Sequence, residues 1–111
     1  MPVQITNKGE VLYCFLSGEI DHHSAAGIRK AIDDAANTVM PSLLVLDYGG
    51  VSFMDSSGIG LVMGRYRNVS RLGGKVHIAN PTESVHKVFS LCAIEQIATM
   101  DEPRKKELER C

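Results

Sequence analysis

An α/β fold is predicted by this sequence: a mixed, largely parallel β-sheet opened by a β-hairpin, with about four α-helices packed against it. Three observations predict it. Two apolar or alternating runs near the start flank the turn residues Asn7-Lys8-Gly9-Glu10. Beyond them, strand-like runs alternate with segments of helical period, the order that builds parallel strands joined by crossover helices. Between the first two helical segments lies LLVL at 43–46, an unbroken apolar run of the kind buried on both faces of a parallel sheet.

Taken in order, residues 3–6 and 11–17 form the hairpin strands. From 24 to 39, Ala25, Ile28, Ile32, Ala35, Ala36 and Val39 recur at helical spacing, and Pro41 lies just past the end. After the strand at 43–46, DYGGVSF reads as a turn leading to a second helix. Ile59, Val62, Met63, Tyr66 and Val69 stripe that helix, and Gly73-Gly74 closes it. A strand at 75–79 follows. Pro81-Thr82 then opens a helix with Val85, Val88, Phe89 and Cys92 on its apolar face. A short strand is expected near 96–99, and Asp101-Glu102-Pro103 reads as the cap and first turn of a closing helix, whose charge run is a solvated face.

No linker, repeat or low-complexity tract interrupts the pattern. The 111 residues, 44% hydrophobic, suit one domain over 1–111. Twelve Lys and Arg against thirteen Asp and Glu give a formal charge of -1, which points away from nucleic acid or an anionic membrane surface as partner. Apolar runs far shorter than the roughly 20 residues of a membrane span, and a start lacking a basic, then apolar, leader, predict a cytoplasmic protein. Cys14, Cys92 and Cys111 form no CxxC pair. The first two read as small core hydrophobes and the third as a tail thiol, with no disulfide frame or metal site.

The stretch VSFMDSSGIGLVMGRYR at 51–67 sets two serines at a strand-to-helix turn. A hydrolase elbow would be GxSxG, but Met54 and Asp55 occupy the first glycine positions for Ser56 and Ser57. The histidines, at 22, 23, 77 and 86, leave a base conceivable only if the fold delivers one. GIGLVMG is not a dinucleotide fingerprint, and no GxxxxGK[ST] surrounds Lys75. The sequon at Asn68 falls inside a helix, in a chain without a leader. One of Asp55, Ser56 and Ser57 is expected to cap the helix. With Ile59 as the core direction, about 100° per residue puts Ser56 at about 60°, Ser57 at about 160° and Leu61 at about 200°, with Gly64 and Asn68 on the same side at about 140° and 180°. Ser57 and Leu61 are thus expected on an outward docking face. A phosphate on Ser57 would there be stabilised by the helix N-terminus, and would present an acidic spot beside Asp55 without refolding the chain.

SGEIDHHSA at 17–25 together with FMDSSG at 53–58 resembles the anti-sigma factor antagonists of the STAS-domain family, above all those of the sporulation sigma-F system. The resemblance covers most of the chain and is weakest beyond about residue 80. It implies the STAS fold, with the α-helices packed mainly on one side of the mixed sheet, and a non-enzymatic binding protein without cofactor or metal. It also implies partner switching. The unmodified protein binds an anti-sigma factor that is an ATP-dependent serine kinase and so releases the sigma factor. Phosphorylation of the second serine of DSSG, here Ser57, ends that interaction, and a metal-dependent phosphatase restores it. Asp21 matches the family's aspartate near the phosphorylation site, expected to help position Ser57 by hydrogen bonds if it does not simply cap the following helix. His22 and His23 match as loop histidines at the partner surface, with Asp55, Ser56, Gly58 and Leu61 completing the docking residues. A monomer or weak dimer is implied. The other reading from the family is a STAS scaffold or sensor domain of a stress-response pathway, expected as a large homo-oligomer.

Overall fold

The computed structural model describes residues 2–103. Strands β1 (Val3–Lys8) and β2 (Val11–Ile20) pair antiparallel across the two-residue loop Gly9-Glu10, where Gly9 has a φ of 62°. A positive φ at the first loop position matches the right-handed twist of the flanking strands and costs glycine nothing. Helix α1 (His22–Val39) follows, then β3 (Leu43–Met54), helix α2 (Ser57–Arg71), β4 (Lys75–Ala79), helix α3 (Glu83–Leu91), a 3₁₀ turn at Ile94–Gln96 and β5 (Thr99–Met100). The five strands lie in the order β1-β2-β3-β4-β5, all neighbours after the first pair being parallel.

One face of the sheet carries the core. Leu12, Cys14 and Leu16 of β2, Leu44, Leu46 and Tyr48 of β3, and Val76 and Ile78 of β4 alternate onto it. They meet Ile28, Ile32 and Ala36 of α1, Leu61, Val62 and Val69 of α2, and Val85 and Phe89 of α3. Tyr48 and Phe89 stack edge to face at 5.4 Å, a geometry that aligns ring edge and ring face electrostatically. On the opposite face the buried Asp47 accepts from Tyr13 Oη, from Asn80 Nδ2 at 3.0 Å and from the Gly49 N–H at 2.8 Å. Three donors answer the desolvation of that carboxylate.

Several expectations are corrected. DYGG is not a turn: β3 runs on through it to Met54. Its glycines serve close approach, since a Cβ on Gly50 would lie 2.9 Å from Phe15 Cζ and 3.0 Å from Ser17 Cβ, where β2 is bulged between Phe15 and Ser17. The last strand is Thr99–Met100 rather than 96–99, and residues 94–96 form the 3₁₀ turn instead. Three α-helices occur among the described residues, and the expected closing helix lies outside them. His22 and His23 are not in a loop but in the first turn of α1.

Cys14 is fully buried as expected, and burial pushes its thiol up to about 12, which makes it a poor nucleophile at neutral pH. Cys92, expected in the core, caps the end of α3 and is exposed; Cys111 lies outside the described residues. No helix among the described residues is long and apolar enough to cross a membrane.

Candidate functional site

Ile20 and Met54 are paired neighbours at the ends of parallel strands β2 and β3, and the Asp55 N–H donates to the Ile20 carbonyl at 3.1 Å. The chain leaves each strand directly into a helix. Two helix N-termini are therefore set side by side at the carboxyl edge of the sheet.

At the first terminus, Asp21 caps α1. Its Oδ1 accepts from the His23 N–H at 2.9 Å and the Ser24 N–H at 3.0 Å, while Ser24 Oγ accepts from the Asp21 N–H at 3.0 Å, a reciprocal capping box. The Ser24 and His23 N–H groups hold the Asp21 carboxyl below the usual carboxylate range. Of the two readings of Asp21, these hydrogen bonds are those of the helix cap, since they go to its own helix. His22 and His23 are exposed, their rings edge to face at 5.6 Å.

At the second terminus, Asp55 Oδ1 accepts the Ser57 N–H at 2.8 Å, so Asp55 is the member of the DSS triplet that satisfies a free amide of the first turn. Ser56 holds the N-cap place without a side-chain bond and is exposed. Ser57 is half-buried, which inverts the expected order of the two serines. Gly58 and Leu61 are buried, Leu61 being only 3% exposed, while Met63, expected on the apolar stripe, is 40% exposed.

One physical cause explains all of these. The buried line of α2 is Gly58, Leu61, Val62, Arg65 and Val69, centred about 100° from Ile59, because α2 packs against α1 as well as the sheet. The side read as outward is the one turned to α1. Asn68, on that side, donates to Asp33 Oδ1 at 3.3 Å and Asn37 Oδ1 at 3.2 Å. Measured from the true centre, Ser57 lies on the flank and Ser56 nearly opposite, as observed.

The α1–α2 seam holds a buried ion pair. Arg65 Nη2 donates to Asp33 Oδ2 at 3.1 Å and Nη1 to the Leu61 carbonyl at 3.3 Å. Nε approaches Asp33 Oδ1 to 2.8 Å, with its N–H off the line of a hydrogen bond. Burial pulls the Arg65 guanidinium below its ordinary range, and Asp33 draws it back up. Between the helices lies an open cleft of about 230 Å³ lined by Ala25, Arg29, Ser57, Gly60, Leu61 and Arg65.

Gly58 is required by space. A Cβ there would overlap Met54 Cγ and Sδ. Gly58→Ala is therefore expected to lower stability by about 1–2 kcal/mol, overpacking outweighing the better helix propensity of alanine. Thermal unfolding followed by circular dichroism checks this, and an unchanged midpoint would refute it.

Two site residues escaped sequence reasoning. Phe53 is 52% exposed beside Met54 and Asp55, an aromatic with no cover, and strict alternation along a longer β3 was the signal that could have found it. Arg29 on α1 reaches the Ser57 cleft, and no local pattern marks it. No group of three or more metal-ligating side chains occurs among the described residues.

The STAS domain family matches residues 2–106. The anti-sigma F factor antagonist of Lysinibacillus sphaericus is 36% identical over 85 residues, covering 77% of this chain and 73% of that protein. The structure of the anti-sigma factor antagonist SpoIIAA in its unphosphorylated form superposes with a TM-score of 0.78 at 30% identity, covering 97% of this chain and 94% of that one. The phosphorylated form of SpoIIAA, described as a Bacillus cell fate determinant, superposes at 0.72 with 29% identity, over 97% of both chains. A five-stranded mixed sheet with its helices on one face, the DSSG turn at the start of α2 and a family match spanning all the described residues agree, and the chain belongs to the STAS domain family.

Proposed function

We propose that this protein is an anti-sigma factor antagonist of the sigma-F type, whose unmodified form binds an anti-sigma factor that is also a serine kinase, and which phosphorylation of Ser57 switches off. The observation that carries the reading is the placement of Ser57. It is the first residue of α2, partly accessible, at the paired helix N-termini of a chain that resembles SpoIIAA in both its unphosphorylated and phosphorylated forms.

Asp21, His22, His23, Asp55 and Ser56, accessible at the starts of the two helices, would form the docking rim around Ser57, with the exposed Phe53 as its aromatic. Aromatic side chains are enriched at protein interfaces relative to the rest of the surface. Gly58 and Leu61 act from beneath, holding the turn against Met54 and the core rather than touching the partner.

A phosphate on Ser57 brings a charge of roughly −1.5 to −2 to a place already carrying Asp55. The helix N-terminus tolerates it, so the fold is kept while the surface offered to the kinase turns strongly acidic. A phosphatase reverses the switch. The protein itself catalyses nothing in this scheme: Ser57 is the group acted on by the kinase and the phosphatase.

The test is to incubate the purified protein with ATP and the candidate anti-sigma kinase from the same genome, and to map added phosphate by tandem mass spectrometry. Phosphate on Ser57 is expected. None, from a kinase shown active on its own substrate, overturns the proposal.

A further inference from the structure

We propose that the cleft between α1 and α2 is a phosphate-binding site for phosphorylated Ser57, with Arg29 of α1 as the side chain that grips the phosphate. The proposal rests on reading Ser57 as the phosphoacceptor and adds what receives the group once it is there.

Three observations point to it. Ser57, Arg29 and Arg65 line one cleft, whose roughly 230 Å³ would hold several waters at about 30 Å³ each and so has room for a phosphate group. The cleft is unbalanced in charge. Two arginines, Arg29 and Arg65, line it with no carboxylate among the lining residues, and Asp33 pairs with Arg65 alone. Arg29 itself is exposed and makes no ion pair or side-chain hydrogen bond among the described residues, so its fork of donors is free. Arg65, by contrast, is committed to Asp33 and to the Leu61 carbonyl, and contributes a fixed positive field at the floor of the cleft.

A guanidinium matches a phosphate with two parallel N–H···O contacts, a stronger and more directional pairing than a neutral hydrogen bond gives. The groups around the phosphate would be Arg29 across the cleft, Arg65 below, the N–H groups of the first turn of α2, and the opposing carboxylate of Asp55. Once gripped, the phosphate would bridge α1 and α2, and both the acidic spot and Arg29 would be held in one place rather than left mobile in solvent.

The experiment installs phosphoserine at position 57 by genetic encoding, so that no kinase has to select it. The second ionisation of the phosphate, ordinarily near pH 6, is then followed by ³¹P chemical shift at about 0.15 M ionic strength, where charges beyond about 8 Å are screened. A guanidinium in contact favours the dianion and lowers that value. Arg29→Gln, an exposed change that leaves the core untouched, is expected to raise it by at least about 0.3 pH units relative to the otherwise identical phosphorylated protein. A smaller rise overturns the clamp. Failure of the kinase to modify Ser57 would overturn the phosphoacceptor reading without altering this titration, so the two failures are distinguishable.

Discussion

Ser57→Asp is expected to weaken binding to the anti-sigma kinase by about 100-fold, which corresponds to roughly 3 kcal/mol. The effect follows from the placement of charge. Asp55 already holds the Ser57 amide through Oδ1, so a second carboxylate two residues away sets two like charges at the rim of the docking surface. A surface that the kinase approaches to deliver phosphate must accommodate a neutral hydroxyl, and desolvating an added charge there is costly. Ser57→Ala removes only the hydroxyl. It is expected to bind within a few-fold of the wild type and to resist inactivation by ATP and kinase. Calorimetric titration of the three proteins against the kinase checks this, and equal affinities for wild type and Ser57→Asp would sink the switch. Circular dichroism of Ser57→Asp should remain native, because the helix N-terminus stabilises the added charge and the fold does not depend on the hydroxyl.

Asp33→Ala is expected to lower folding stability by about 3 kcal/mol, the low end of what removing one partner of a buried ion pair costs. Arg65 has only 6% of its side chain exposed, and Asp33 28%, so the guanidinium would stay in the seam with its countercharge gone while the aspartate's own contribution is partly screened. Asn68 would lose an acceptor as well. For a domain of this size the midpoint of thermal unfolding should fall by about 10 °C or more. The double variant Asp33→Leu, Arg65→Met should recover most of the loss, because apolar groups of similar volume can replace a buried pair. If Asp33→Ala unfolds at the wild-type temperature, the seam is not held by this pair.

Much of the fold was legible because it is written locally. Asn7-Lys8-Gly9-Glu10 marked the hairpin, and the loop closes on Gly9-Glu10 with glycine in the left-handed region. The apolar spacing of Ile28, Ile32 and Ala36 located the inward face of α1. Thr82 caps α3 as the Pro-Thr pair suggested, its Oγ1 accepting from the Val85 N–H at 3.2 Å. Each of these signals is complete within a few residues of chain. Gly49 and Gly50, in contrast, look the same in a turn as in a strand closely approached by Phe15 and Ser17, and the approach depends on a bulge in a strand more than thirty residues earlier.

The site divides in the same way. The DSSG stretch and the aspartate ahead of the first helix were readable as caps, because capping is a bond between neighbours along the chain. The orientation of α2 was not. A wheel gives angles between residues but no origin, and the origin is set by what packs around the helix. Here α1 covers the side that carries Leu61, Arg65 and Asn68, which buries the leucine expected to be exposed and turns Ser57 to the flank. The sequence by itself determined the alternation of strand and helix, the caps and the chemistry available at Ser57, all of which are decided by interactions a few residues apart. Only the tertiary structure decided that Arg65 meets Asp33 across 32 positions and that Arg29 shares a cleft with Ser57, because such contacts exist only once two helices have packed on one sheet.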